Sequence, residues 1–370
     1  MPPDDFSWRT VSMGASQWFA KSSAPSATAP SSVSRDGGNP APESKSWLSR
    51  VRREGSPFHG LSTVLLKELA DNLSSVRMLV LEVLMVMFGA VVVYLAAEQL
   101  RQGTAEDPFL ILRLFAPPGD SLLTFVTVLS ILVPLMAIGL GFDAINGEHN
   151  RRTLSRILAQ PIYRDALLLG KFLAGLGTLS INLVVLWLMV IGFGLVRLGI
   201  PPSAEELGRS LVFLVLTVCY AGVWLAVAML FSIVFRATAT AALVSLGLWL
   251  FFAMLWPALA KPLAEMISPS DYRYAMLGLQ TPDTLMWQVA LARISPGTLY
   301  SEAITAILNP DVRSLGPLFL DQVQGMIRGA PLPLSQSIVI AWPQTVGLIA
   351  GTIVLYVVGY VIFQRQEVRA

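Results

Sequence analysis

The chain has 370 residues, of which 54% are hydrophobic and 14% are charged, and its mean hydropathy is +0.63. This composition excludes an ordinary soluble domain and supplies enough apolar sequence for several membrane spans. The net charge of +2 is small, so the positions of the charges are more informative than their sum, and the single cysteine, Cys219, excludes an internal disulfide and a cysteine metal cluster.

Residues 1–57 form a first compositional segment, rich in Ser, Pro, Ala and Gly. Such a segment cannot bury enough apolar area to offset the entropy lost on ordering, so we predict a disordered cytoplasmic tail. The segment also lacks the basic start and apolar core of a signal peptide.

Segment 58–76 carries apolar residues at helical spacing on one face, namely Leu65, Leu66, Leu69 and Leu73. Charged residues occupy the opposite face: Lys67, Glu68 and Asp71. This pattern predicts an amphipathic helix in the membrane interface, and the alternative is an N-terminal extension of the first span. A polar break at Asn72, Ser74 and Ser75 favours the separate helix.

Six apolar runs are long enough to cross a bilayer as helices: 78–97, 122–142, 166–196, 211–235, 238–259 and 341–363. They lack the period-two alternation of barrel strands, so we predict an all-α polytopic membrane protein. The first five spans fall within residues 77–259, and residues 341–370 contain the sixth span and a short tail. Lys and Arg concentrate on one set of loops, which places both termini and the 143–164 loop in the cytoplasm.

The 143–164 loop contains a predicted short helix near residues 150–160, which begins after Asn150 and ends at Pro161. Its apolar ridge consists of Leu154, Ile157 and Leu158. Arg151 flanks the ridge and Arg152 lies opposite it. One interpretation is that the arginines only anchor topology through anionic lipid, which explains the charge but neither the ridge nor the proline stop.

The stretch GFDAINGEHNRRTLSRILAQPIYRDALLLGKFLAG resembles the cytoplasmic loop of ABC-2 type transporter permeases, particularly the subgroup of the nitrous oxide reductase maturation permease. The matching positions are Glu148, Thr153, Leu154, Leu158, Pro161, Arg164, Gly170 and Lys171. The resemblance implies a coupling helix that docks into a groove on a separate ATPase. The expected ATPase-coupling residues are Glu148, Arg151, Arg152, Thr153, Leu154, Ile157, Leu158, Pro161 and Arg164.

The resemblance also implies the partners: an ABC ATPase subunit in two copies and a second permease subunit, identical or different, in the lipid of the inner (plasma) membrane. The chain itself lacks a phosphate-binding loop, since Gly170-Lys171 is followed by Phe172 and Asp165 stands where the first glycine belongs. ATP hydrolysis is therefore expected on another polypeptide. We expect no cofactor and no nucleic-acid partner.

Segment 260–340 is too long for a bare connection and predicts a small helical extracytoplasmic cap. Thr281-Pro282 and Ser295-Pro296 each place an N-cap residue before a proline, which predicts two helix starts. The cap either packs the spans as a lid or gates a substrate, and no residue pattern decides between these roles.

Glu82 and Asn182 are the polar candidates at membrane depth. We predict no catalytic residues, because neither histidine lies in a span and no metal-binding pattern is present. The favoured function is an ABC permease subunit that exports its substrate. The alternatives are an ion-coupled secondary transporter, for which broken helices and repeats are lacking, and a non-transporting membrane scaffold.

Overall fold

A computed structural model describes residues 60–102, 109–115, 124–150, 164–199, 201–269, 276, 281–316 and 331–365. Within these ranges the regular elements are helices and no strand occurs, which confirms the all-α prediction. Six helical stretches are long and apolar enough to cross a membrane, as predicted: Val76–Leu100, Phe125–Glu148, Asp165–Leu198, Ala204–Val234, Thr238–Ile267 and Leu334–Arg365. We number them spans 1 to 6.

In chain order the α-helices are α1 (Leu61–Leu73), α2 (Val76–Gln102), α3 (Leu112–Phe115), α4 (Phe125–Gly141), α5 (Asn146–Asn150), α6 (Arg164–Leu198), α7 (Ala204–Val234), α8 (Thr238–Leu250), α9 (Trp256–Ile267), α10 (Pro282–Ala292), α11 (Pro296–Leu308) and α12 (Leu334–Arg365). A π-helix, Phe251–Leu255, joins α8 to α9 within span 5. Because lipid offers no hydrogen bonds, these long apolar segments satisfy their backbone groups internally as helices.

Helix α7, which is span 4, forms the centre of the bundle and packs against α4, α6, α11 and α12. In the most apolar stretch of span 4, 67% of the residues are buried inside the protein. In the corresponding stretch of span 5, only 11% are buried. A capping box starts α7: the Ser203 hydroxyl accepts the N–H of Glu206 at 3.2 Å, and the Glu206 carboxylate accepts the N–H of Ser203 at 2.8 Å. Span 5 thus presents most of its apolar surface outward, and span 4 organises the interior.

Helices α1 and α2 are separate elements divided at two serines. The Ser74 hydroxyl donates to the Ala70 carbonyl at 2.7 Å, and the Ser75 hydroxyl accepts the N–H of Met78 at 3.2 Å. These contacts cap the end of one helix and the start of the next, in place of a continuous helix. Helix α1 packs along α6.

The segment between spans 5 and 6 contains α10 and α11, which begin at Pro282 and Pro296 as the two Thr/Ser-Pro pairs predict. Thr281 caps α10 by accepting the N–H of Thr284 at 3.3 Å. Helix α11 packs into the bundle against α7 and α12.

Both spans that flank this segment are longer than the sequence predicts. Span 5 continues from residue 259 to Ile267, and α12 begins at Leu334 although the apolar run begins at residue 341. The first turn of α12 contains Ser335, Gln336 and Ser337, so the apolar run begins later than the helix does.

Candidate functional site

A cavity of about 470 Å³ lies where α1 meets the ends of α2, α4 and α6, beside α5. Its charged lining consists of Lys67, Glu68, Asp71, Arg77, Asp143, Glu148 and Lys171. These residues come from four separate helices and one turn, so the fold gathers charges that are distant in sequence.

Lys171 is the centre of this cluster, and its side chain is only 5% exposed. Its ammonium nitrogen lies 2.9 Å from Glu68 Oε2 on α1 and 2.7 Å from Glu148 Oε1 on α5. A buried cation is tolerated when it is paired and hydrogen-bonded. The Glu68–Lys171–Glu148 triad therefore joins α1, α6 and α5 through one buried charge.

Glu68 also contacts Lys67, whose ammonium lies 3.1 Å from Glu68 Oε1 and 3.1 Å from Asp71 Oδ2. Partial burial lowers the pKa of Lys67, but the hydrogen bonds and charges of Glu68 and Asp71 outweigh burial and raise that pKa above its ordinary value. Lys67 therefore stays protonated at neutral pH and keeps its ion pairs with Glu68 and Asp71.

A second ion pair joins α2 to the turn after α4. Arg77 Nη1 donates to Asp143 Oδ2 at 2.8 Å, and the guanidinium lies 5.5 Å from the centre of the Phe142 ring. The Arg77 side chain is 58% exposed, so this ion pair contributes little to the stability of the fold. Its role is to position the turn after α4 against α2.

The turn and first residues of α5 are also fixed to the end of α7. The buried Ser232 hydroxyl accepts the N–H of Ile145 at 3.0 Å and the N–H of Asn146 at 3.2 Å. The Asn146 side chain donates to the Phe235 carbonyl at 3.2 Å. Asn150, at the end of α5, donates to the Arg236 carbonyl at 3.1 Å. Helix α5 is thus held both by the buried triad and by the central helix.

Of the predicted coupling residues, the structure places Glu148 in this cluster. Arg164 begins α6, but its side chain lies outside the described residues. The other predicted coupling residues also lie outside the described ranges: Arg151, Arg152, Thr153, Leu154, Ile157, Leu158 and Pro161.

The two intramembrane candidates lie apart from the cluster. Glu82 is half-buried on α2. Asn182 is buried on α6, and its side-chain nitrogen has no hydrogen-bond partner among the described residues.

Several residues of the site have no distinguishing signal in the sequence. In the sequence, Glu68 is one of several charged residues on the polar face of α1. Its contact with Lys171 joins residues that are 103 positions apart. In the sequence, Ser232 is only a small residue within an apolar span. In the structure, its hydroxyl accepts the backbone N–H groups of Ile145 and Asn146. The family motif marks Glu148 and Lys171, and their partners become evident only from the fold.

Six apolar helices, together with a polar cluster at the connection between spans 2 and 3, define a polytopic membrane protein. The chain belongs to the ABC-2 family of transporter proteins, whose family model matches residues 62–368. It is similar to the probable ABC transporter permease protein NosY of Pseudomonas aeruginosa, with 32% identity over 52% of this chain and 67% of that protein. It is also similar to the probable ABC transporter permease protein NosY of Stutzerimonas stutzeri, with 27% identity over 81% of this chain and 96% of that protein.

These relationships identify the chain as a permease subunit of an ABC transporter, a multi-pass membrane component that is not itself an enzyme. They confirm the predicted resemblance to the nitrous oxide reductase maturation permease. Membership in this family implies an ABC ATPase partner and an oligomeric assembly.

Proposed function

We propose that this permease couples ATP hydrolysis on a separate ABC ATPase to export of a substrate, and that residues 150–160 form the helix that docks on the ATPase. The observation that carries the proposal is the position of α5. This helix leads directly into the docking segment, and Glu148 within it contacts the buried Lys171.

Movement of the docking helix would reach the spans by two routes. In the first, Glu148 transmits the displacement through Lys171 to α6 and through Glu68 to α1. In the second, the backbone of Ile145 and Asn146 transmits it through Ser232 to α7. Because α7 packs against α4, α11 and α12, a shift at its end is passed to spans 2 and 6 and to the segment before span 6. This arrangement supplies the contiguous physical contacts that such coupling requires.

The proposed assembly contains two ATPase subunits and two permease subunits in the inner membrane. Both termini and the docking segment face the cytoplasm, which follows from the distribution of Lys and Arg. Helices α10 and α11 then lie at the opposite end of the bundle, with α11 packed between spans 4 and 6. In this arrangement α11 is positioned to respond when these spans move.

The test is co-expression of the permease with the ABC ATPases encoded near its gene, followed by purification through a tag on the permease. Leu154→Glu places a charge on the apolar ridge, and the pair Arg151→Glu and Arg152→Glu reverses the basic face. We expect each to reduce ATPase recovery at least about tenfold, since a buried unpaired charge or a like-charge contact costs several kcal/mol.

Two matched variants control for general damage. Leu154→Met keeps the ridge apolar. Lys261→Glu reverses an exposed charge near the C-terminal end of span 5. Both should retain the ATPase, and all variants should insert into the membrane in normal amounts. Normal ATPase recovery and normal substrate-stimulated turnover in the Leu154→Glu and double-arginine variants would falsify the proposed docking role.

A further inference from the structure

The cavity of about 470 Å³ beside α1, which we call the α1 cavity, has two unlike parts. Its most deeply buried lining is apolar and includes Met78, Leu225 and Met229. Its rim is charged, and more than half of each of three rim side chains is exposed: Lys67, Asp71 and Arg77. A cavity of this size with both kinds of lining fits a ligand that has charged and apolar parts.

The α1 cavity lies beside helix surfaces that are typical of contact with lipid. Leu66 and Leu73 are exposed on one face of α1, and Val76 and Leu79 are exposed at the start of span 1. Lys67 and Asp71, four residues apart, occupy the adjacent face of α1 and line the cavity. An apolar face next to a charged one is the pattern of a helix in the membrane interface, where lipid chains meet their headgroups.

The junction of α1 and α2 offers hydrogen-bond donors to an anion in the α1 cavity. Arg77 uses Nη1 for its bond to Asp143 at 2.8 Å, and its Nε and Nη2 atoms have no hydrogen-bond partner among the described residues. The Asn72 side chain also lines the cavity, and the described part of the chain provides no hydrogen-bond partner for its amide. A guanidinium with free N–H groups beside an amide donor suits the oxygens of a phosphate.

The same cavity offers an acceptor to a cation. Asp71 Oδ2 lies 3.1 Å from the Lys67 ammonium, and the other carboxylate oxygen of Asp71 has no partner within the described ranges. Charged residues of both signs line the cavity, three basic and four acidic: Lys67, Arg77, Lys171, Glu68, Asp71, Asp143 and Glu148. A purely anionic headgroup therefore gains no net attraction, whereas a headgroup with a phosphate and an ammonium matches both signs.

We propose that the α1 cavity binds the headgroup of a membrane phospholipid with a primary ammonium, that is, a phosphatidylethanolamine. The phosphate accepts hydrogen bonds from Arg77 and Asn72, and the ammonium donates to Asp71. The acyl chains lie along the exposed apolar side chains of α1 and span 1. The lipid thus bridges α1 and α2 beside the Glu68–Lys171–Glu148 triad, and its binding does not depend on docking of the ATPase.

Two other phospholipids provide the comparison that isolates each part of the headgroup. Phosphatidylcholine has the same phosphate, but its trimethylammonium has no N–H to donate. Phosphatidylglycerol keeps the phosphate and has no ammonium, so the cavity meets a net negative headgroup. A preference for phosphatidylethanolamine over both therefore reports the contact with Asp71.

The test is native mass spectrometry of the full-length permease, delipidated in detergent and titrated with each of the three lipids, all with the same acyl chains. We expect one site that binds phosphatidylethanolamine about tenfold more tightly than either of the others, the factor expected from one charge-assisted hydrogen bond. Equal affinity for the three lipids would overturn the proposal. Tightest binding of phosphatidylglycerol would also overturn it, since the basic residues would then select lipid by charge alone.

Two variants assign the two halves of the headgroup. Asp71→Asn should lower the affinity for phosphatidylethanolamine to that for phosphatidylcholine and leave the latter unchanged. Arg77→Gln should weaken both lipids about tenfold and keep their ratio, because both share the phosphate. Both side chains are largely exposed, so these substitutions are compatible with folding. A preference for phosphatidylethanolamine that survives Asp71→Asn would contradict the assigned contact.

Matched controls remove one charge of each sign elsewhere on the surface. Arg236→Gln and Asp283→Asn change exposed residues that do not line the α1 cavity, so neither should alter the affinity for any of the three lipids. Loss of the preference in either control would mean that the lipid binds at another place.

A competition experiment distinguishes a lipid from a free solute with the same headgroup. Soluble glycerophosphoethanolamine carries the phosphate and the ammonium but no acyl chains. We expect that a hundredfold excess of it leaves phosphatidylethanolamine bound, because the chains contribute to binding along α1 and span 1. Displacement at equal concentration would overturn the lipid assignment and identify a soluble phosphoethanolamine compound as the ligand.

Discussion

The ammonium of Lys171 lies 2.7 Å from a carboxylate oxygen of Glu148, and these two residues stand on opposite sides of the proposed docking segment. Glu148 lies on α5 before the segment, and Lys171 lies on α6 after it. The ion pair therefore closes the base of the connection between spans 2 and 3. This contact gives a physical reason for the presence of both residues in the motif that the chain shares with its family.

Replacement of Lys171 by methionine should destabilise the protein by about 3 to 5 kcal/mol, because Glu68 and Glu148 would lose the buried cation that they share. The measurement is the free energy or midpoint of unfolding in detergent, followed by intrinsic fluorescence. Lys67→Met is the control, since that side chain is 62% exposed and its ion pairs should contribute at most about 1 kcal/mol.

A triple variant separates charge from packing at the same site. Lys171→Met combined with Glu68→Gln and Glu148→Gln removes all three charges, and it should recover most of the lost stability. If Lys171→Met alone is as stable as the wild type, the triad does not hold the three helices together.

Ser232→Ala should loosen the attachment of α5 to α7. The Ser232 hydroxyl accepts the N–H groups of both Ile145 and Asn146, and both would lose a buried partner. Hydrogen–deuterium exchange of the peptide that covers residues 143–150 should become about tenfold faster or more, as expected when a buried group loses a partner worth 1 to 3 kcal/mol.

Ser245→Ala provides the comparison for Ser232. The Ser245 hydroxyl is also buried in a span, but it donates only to the Ala241 carbonyl of its own helix, at 2.7 Å. Its removal leaves no N–H group of another element unpaired, so exchange in residues 143–150 should not change. Equal exchange in both variants would show that Ser232 does not fix α5.

Gly141→Ala should disturb the packing of span 2 on span 4. A Cβ atom at Gly141 would lie 2.7 Å from Ala228 Cβ and 3.2 Å from the Leu225 carbonyl oxygen, so the α7 backbone itself would have to move. We expect a loss of about 1 to 3 kcal/mol in unfolding free energy, as for other overpacked sites. Gly192→Ala is the control, because nothing lies within 4 Å of its added Cβ, and its stability should change by at most about 1 kcal/mol.

The sequence predicts those features of this protein that depend on short-range chemistry. Long apolar runs specify the spans, and the pairs Thr281-Pro282 and Ser295-Pro296 specify where α10 and α11 begin. The π-helix and the extended ends of spans 5 and 6 are not predicted, because hydropathy does not report the backbone hydrogen-bond pattern or the helical turns that contain polar residues.

The candidate site is predicted only in part, since it depends on contacts between distant segments. The family motif identifies Glu148 and Lys171, but Glu68 and Ser232 carry no local signal of their roles. Outside the site, Arg209 also lacks a local signal of its role: by charge it resembles other residues near the ends of the spans, although its side chain is fully buried.

Arg209 holds the start of α7 to α11 and to the start of α12. Its guanidinium donates to the Ile307 carbonyl at 2.7 Å, to the Ser337 hydroxyl at 3.1 Å and to the Leu332 carbonyl. It also pairs with Glu205 at 3.0 Å. Because Ile307 lies at the end of α11 and Ser337 in the first turn of α12, one side chain fixes the arrangement of three helices.

Arg209→Ala should therefore cost about 3 to 5 kcal/mol, and Arg209→Lys should recover only part of that loss, because a single ammonium cannot reproduce the spread of the guanidinium donors. Faster hydrogen–deuterium exchange should be concentrated in α11 and the first turns of α12. Arg197→Ala is the matched control: Arg197 is 30% exposed, lies 3.6 Å from Glu98 and stacks 4.9 Å from the centre of the Tyr94 ring, contacts that together contribute at most about 2 kcal/mol. A stable Arg209→Ala variant with unchanged exchange in α11 would mean that apolar packing alone holds these helices, and that the buried guanidinium is not what fixes α11 and α12 against span 4.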